Sequence, residues 1–161
     1  MYKIMIQRAA ATQSLPAAAK FKHWVTTVLK NTMQSAELTI RIVDKNEMTE
    51  LNSTYRHKNK PTNVLSFPFD MPAECRDETP LLGDIIICAE VIHEEAVQQE
   101  KTVEAHWAHM VVHGTLHLLG YDHEKNTDAE VMEAEEIKIL NILGFNNPYH
   151  VSEKGANNEL R

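Results

Sequence analysis

The residues of this 161-residue chain whose type and spacing bear most directly on chemistry are three histidines in the run His113-Gly-Thr-Leu-His117-Leu-Leu-Gly120-Tyr-Asp-His123. His113 and His117 are four apart, so a helix sets both on one face, one turn from each other. Gly120 can end that helix, because glycine takes a left-handed backbone without a Cβ penalty. The chain can then turn back and bring His123 toward the first two. Three imidazoles meeting at one point make a zinc-type site whose open fourth position admits water or substrate, as a catalytic metal requires. Three neutral nitrogen donors suit Zn²⁺ best, one ion per chain, with nickel and copper as competitors. The bland alternative is a histidine-rich helix whose rings pack or solvate one by one.

The motif also looks like that of the metzincin proteases, with one difference. Those enzymes follow the first histidine with a glutamate that serves as general base. Here Gly114 stands in that place. Glycine cannot move a proton, and general-base help is worth about 10²–10⁴ in rate, so peptide hydrolysis is disfavoured. Phosphodiester cleavage asks instead for charge neutralisation on phosphate oxygens, from a metal and an arginine. The basic cluster Arg56–Lys60 supplies candidates. Such a run after a helix is ordinarily a solvated end. Arg56 nevertheless presents a planar fork suited to phosphate, and Lys58 and Lys60 are point charges able to hold backbone phosphates. No general base can be picked out from the sequence.

Ala108–His123 closely resembles the YbeY family of single-strand-specific metallo-endoribonucleases. Tyr-Arg-His-Lys-Asn-Lys-Pro-Thr-Asn-Val-Leu-Ser-Phe-Pro-Phe at Tyr55–Phe69 and Leu82-Gly83-Asp84-Ile85 match it as well, and the similarity runs in order from about residue 36 to Tyr149. The family often has an acid where Asn59 stands, which leaves this surface less negative. The resemblance implies a zinc-dependent endoribonuclease of ribosomal RNA, acting in small-subunit 3′-end maturation and ribosome quality control. It also implies contacts with the ribosomal small subunit or its assembly factors, and an important arginine at Arg56. His109 fits the family pattern too, but it precedes the ligand pair and reads as a core residue or one that supports a ligand from behind. Asp84 reads as a local structural carboxylate or as one that orients a ligand histidine. A rival from another class is a non-catalytic RNA-binding assembly factor with structural zinc; a metalloprotease is the third.

Size and composition set the frame. The chain has the length of one domain, taken as residues 1–150 with a polar tail over 151–161. Its 43% hydrophobic and 24% charged residues are ordinary for a globular protein. A net charge of −7 argues against coating polyanions generally, so RNA must be met by a local basic surface. No apolar run approaches the roughly 20 residues of a membrane span, and the first residues lack the features of a signal peptide. Only Cys75 and Cys88 are present, which suits a reducing cytosol and a cytoplasmic location.

The elements that must position these residues follow from periodicity. Strands are expected at Lys3–Arg8, an edge, at Glu37–Val43, at Asn63–Phe69 and at Gly83–Cys88, the most apolar and therefore central. Helices are expected from Leu15-Pro16 to Asn31, from Asp44 with Glu47 completing a capping box, over Ala89–Glu100, over Val103–Leu119 behind a Thr102 cap, and over Asp128–Leu143. The helix after Asp44 should turn Met48, Leu51 and Tyr55 inward. The Val103–Leu119 helix is apolar over most of its circumference and should be buried, with His106, His109, His113 and His117 forming one polar stripe toward a cleft. In the last helix Glu130, Glu133, Glu135 and Glu136 should face solvent. Residues 70–80 make an acidic loop that borders the cleft. The fold class is α+β: one domain, a mixed sheet of about four strands packed with helices, and the metal pair on a buried helix.

Overall fold

The computed structural model describes residues 1–9, 14–69, 79–122 and 125–149; His123, Cys75, most of the 70–80 loop and the 151–161 tail lie outside them. The described chain folds as a single α+β domain with one four-stranded sheet and five helices. In order these are β1 (Tyr2–Arg8), α1 (Ala18–Leu29), β2 (Ala36–Val43), α2 (Lys45–Arg56), β3 (Val64–Pro68), β4 (Leu81–Cys88), α3 (Ala89–Gln98), α4 (Val103–Leu118) and α5 (Asn126–Ile142). The strands lie in the order β1-β2-β4-β3. β1, β2 and β4 are parallel, and β3 runs antiparallel along β4. No helix among the described residues is long and apolar enough to cross a membrane.

Side-chain alternation decides which face of the sheet carries what. Leu38, Ile40 and Ile42 of β2 and Ile85 and Ile87 of β4 share one face and one apolar cluster with α1 and α4. There Phe21 meets Trp24 and Trp107 edge-on, with ring centroids 5.6 and 5.5 Å apart, and locks α1 to α4. The other face holds a smaller cluster, Val43, Met48, Leu65, Ile86 and Cys88, under α2. Where α2 does not reach, this face carries polar residues such as Thr39 and Asp84.

Several expectations needed revision. Tyr55 does not turn inward: it is 60% exposed and lies edge-on against Phe67 at 5.0 Å. Only the cap half of the box at α2 forms, with Asp44 accepting from the Glu47 amide at 2.9 Å. The Glu47 carboxylate accepts from Arg41 Nε at 2.8 Å, a charged donor that lies on the adjoining strand. α5 begins at Asn126 and not Asp128. Its Glu136 is fully buried, which overturns the outward placement of that residue.

α4 is set by its ends and by one glycine. The Thr102 hydroxyl caps it, accepting from the Ala105 amide at 3.1 Å. At the other end Gly120, at φ +106°, makes a Schellman turn in which Tyr121 N donates to Leu116 O and Gly120 N to His117 O. In the middle, a Cβ on Gly114 would lie 2.8 Å from Ile85 Cγ2 and 3.4 Å from Ser66 Oγ. The missing side chain lets the helix sit directly on β3 and β4, where the Ser66 hydroxyl donates to the Gly114 carbonyl at 3.2 Å.

Gly114→Ala should therefore destabilise the domain. The gain in helix propensity is about 1 kcal/mol, whereas overpacking costs about 1–3 kcal/mol. Ile85→Leu, which removes the offending Cγ2 branch, should recover part of the loss in the double variant. Urea unfolding measures both, and a Gly114→Ala protein more stable than wild type would contradict the tight seating.

Candidate functional site

The C-terminal half of α4, strand β3 and the end of α2 enclose a cavity of about 800 Å³. His109, His113 and His117 line it from α4, and Asn63, Ser66 and Pro68 from the β3 side. Arg56, the last residue of α2, lines it as well. The turn at Gly120 carries the chain back so that Tyr121 and Asp122 also line the wall, and Tyr149 closes it from beyond α5.

Helical spacing brings His113 and His117 together as expected, with ring centroids 4.7 Å apart. Arg56 shares their cavity because α2 ends there. His57 adopts a left-handed backbone at φ 58°, and Asn52 holds the following turn by donating from Nδ2 to the Lys60 carbonyl at 2.8 Å. Lys58 and Lys60 are exposed on that turn and are not among the residues of the wall. Asp84 is not brought to the histidines. It is paired across the ladder with Phe67, on the face opposite Ile85 and α4, and is exposed. A carboxylate placed there cannot orient a ring on α4.

The stripe of four histidines divides. His106 is buried away from the cavity wall and bonds Glu95 through Nε2 at 2.7 Å. Glu95 also accepts from Asn63 Nδ2 at 3.1 Å. His109 Nε2 lies 2.9 Å from Glu136 Oε1 and 3.2 Å from the Tyr149 hydroxyl. His113 Nδ1 lies 2.5 Å from Glu136 Oε2. Tyr149 donates its hydroxyl to Glu136 Oε1. Lys101 Nζ reaches the Nδ1 atoms of His106 at 3.1 Å and His109 at 3.4 Å.

Sequence reasoning missed Glu136. Its neighbours in the apolar stripe of α5 are Met132, Ile139 and Leu140, all buried. Glu136 is four residues from Met132 and four from Leu140, at the centre of the stripe. A glutamate at an interior position of a helical stripe is the signal, and the surrounding run of acids conceals it.

Burial sets the electrostatics. It pushes the His109 imidazole down to about 4, against the opposing pull of the Glu136 carboxylate, so the ring is neutral at ordinary pH. Burial acts to raise the Glu136 carboxyl, but the hydrogen bonds from His109 and His113 outweigh it and hold the group well below the usual carboxylate range. An anion is thus kept inside the protein by ring N–H donors.

The described residues fit a nitrogen-ligated metal in part. Two imidazoles one turn apart face one cavity, and a carboxylate stands behind the first, as is usual for ligating histidines. Among the described residues no group of three or more His, Cys, Asp or Glu able to hold an ion is found. His123, the third expected ligand, lies outside them.

Comparison with known proteins adds an independent line. The family model for endoribonuclease YbeY matches residues 5–144. The solution structure of TM1509 from Thermotoga maritima is similar over 87% of each chain, with 26% sequence identity and a TM-score of 0.58.

The buried pair makes stability depend on pH in a definite direction. His109 is depressed from 6.5 to about 4 on folding, so between these values the unfolded chain binds more protons and acid favours unfolding. Glu136, also depressed, loses its contribution as pH falls below 4.5. Lys101, His113 and Tyr149 face the same groups. The urea midpoint of EDTA-treated protein should fall as pH is lowered from about 6.5 to 4, and a midpoint flat across that window would contradict a buried neutral His109.

Proposed function

The chain belongs to the YbeY endoribonuclease family, and from that premise we propose that it is a zinc-dependent, single-strand-specific endoribonuclease of ribosomal RNA, acting in the cytoplasm. The family is one of metal-dependent endoribonucleases that process ribosomal RNA. The observation that carries the reading for this chain is that His113 and His117, one turn apart, line the same cavity as Arg56. His113, His117 and His123 would hold one zinc ion, which supplies Lewis acidity toward phosphate and water oxygens when bound. Arg56 would pair with the scissile phosphate and stabilise the charge that develops on its oxygens as the P–O bond breaks. The nucleophile is either water or the ribose 2′-hydroxyl. Lys58 and Lys60, exposed on the turn next to Arg56, would hold phosphates of the flanking strand. The cleft favours single strands, whose unstacked bases can be splayed into it.

The substrate proposed within ribosomal RNA is the small-subunit 3′ end. Small-subunit contacts and a part in ribosome quality control belong to the same reading. Peptide hydrolysis remains disfavoured because Gly114 leaves no glutamate base after His113.

Zinc-loaded protein incubated with labelled single-stranded and duplex RNA tests the proposal. Arg56→Ala should keep its zinc and lose about 10²–10³-fold in cleavage rate. His113→Ala and His117→Ala should lose both zinc and activity, and duplex RNA should remain uncut. Wild-type cleavage rates in His117→Ala would mark a contaminating nuclease. Zinc-loaded wild type that binds RNA without cutting it would favour the assembly-factor reading.

A further inference from the structure

We infer that Glu136 is the positioning residue of the metal site: its buried carboxylate holds His113 in the Nδ1–H form, which makes Nε2 the nitrogen offered to zinc, and holds His109 in the opposite form, which removes that ring from the ligand set. The inference rests on the metal-site reading above and deepens it.

The argument is one of donors and acceptors. An ionised carboxylate only accepts, and a lysine ammonium only donates. Glu136 Oε2 lies 2.5 Å from His113 Nδ1, so that nitrogen carries the proton. Glu136 Oε1 lies 2.9 Å from His109 Nε2, so there the proton is on Nε2. Lys101 Nζ, 3.4 Å from His109 Nδ1, requires that nitrogen to accept, which agrees independently. Both nitrogens of His109 are therefore committed within the protein although the ring lines the cavity. His113 presents Nδ1 to the carboxylate, and a neutral ring protonated there carries its lone pair on Nε2. Two rings one turn apart on the same helix thus receive opposite tautomers from one side chain.

The requirement is for a carboxylate specifically. Both Glu136 oxygens accept from ring nitrogens, and Oε1 also accepts from Tyr149. A glutamine would turn its amide nitrogen toward one of those N–H groups. One ring would then have to exchange tautomer or swing away. Where the ring is His113, its lone pair moves to Nδ1, beside the amide and away from the cavity.

Two measurements test this. Nitrogen-15 spectra of metal-free wild-type protein at neutral pH should show His113 protonated at Nδ1 and His109 at Nε2; an Nε2–H form at His113 overturns the inference. Zinc affinity, read by competition with a chromophoric chelator, should fall about 10–100-fold in Glu136→Gln while its circular dichroism stays that of wild type. Wild-type affinity in that variant, with zinc binding lost in His117→Ala, overturns this inference and leaves the metal-site reading standing. A wild-type protein that binds no zinc overturns the metal-site reading itself. If Glu136→Gln does not fold, the wild-type spectra decide alone.

Discussion

Everything at the site follows from how closely α4 can approach the sheet. Gly114 lets the helix rest on Ile85 and Ser66 without a side chain between them. That contact fixes both the height of the helix and its rotation. Rotation about the helix axis determines which residues see the cavity, and a bulkier residue at 114 would push the ladder of histidines away from β3. The same glycine occupies the place where a metzincin has its acid. Its absence of function in proton transfer and its presence in packing are two aspects of one choice: a helix seated this low has no room for a glutamate.

The second constraint is the cost of an anion in the interior. An unpaired carboxylate in an apolar core is expensive enough that it would ordinarily take up a proton. Glu136 stays ionised because three donors, two of them ring N–H groups, converge on it. In return it orders the rings that surround it. Burial here is what gives the carboxylate its directing power, since the same group in water would be screened and its bonds exchanged with solvent. The neighbouring arrangement of Asn63, Glu95, His106 and Lys101 follows the same rule, and it ties the start of β3 to the face of α4.

How much was legible beforehand varies with the range of the interaction. The His113–His117 pair, the Thr102 cap and the reversal at Gly120 are local, and their spacing alone announced them. The mixed four-stranded sheet followed from alternation in the strands and periodicity in the helices. Positions that spacing left open or misplaced all depended on what lay across a contact. Tyr55 reads as inward by helical spacing, but α2 meets only part of the sheet and leaves the ring at its rim. Asp84 alternates onto the face away from α4, a result fixed by register with β3 and invisible without it. Glu136 was hidden among other acids, although its place between Met132 and Leu140 was in plain view.

The parts of the cleft are far apart along the chain, from Arg56 in α2 to Tyr149 after α5. No fragment holds them, and each loop between them is closed by contacts that exist only in the complete fold. The cleft therefore has no independent lifetime. Heat or denaturant that detaches α5 removes the carboxylate and disturbs the tyrosine bonded to it, so the site cannot outlast the docking of that helix.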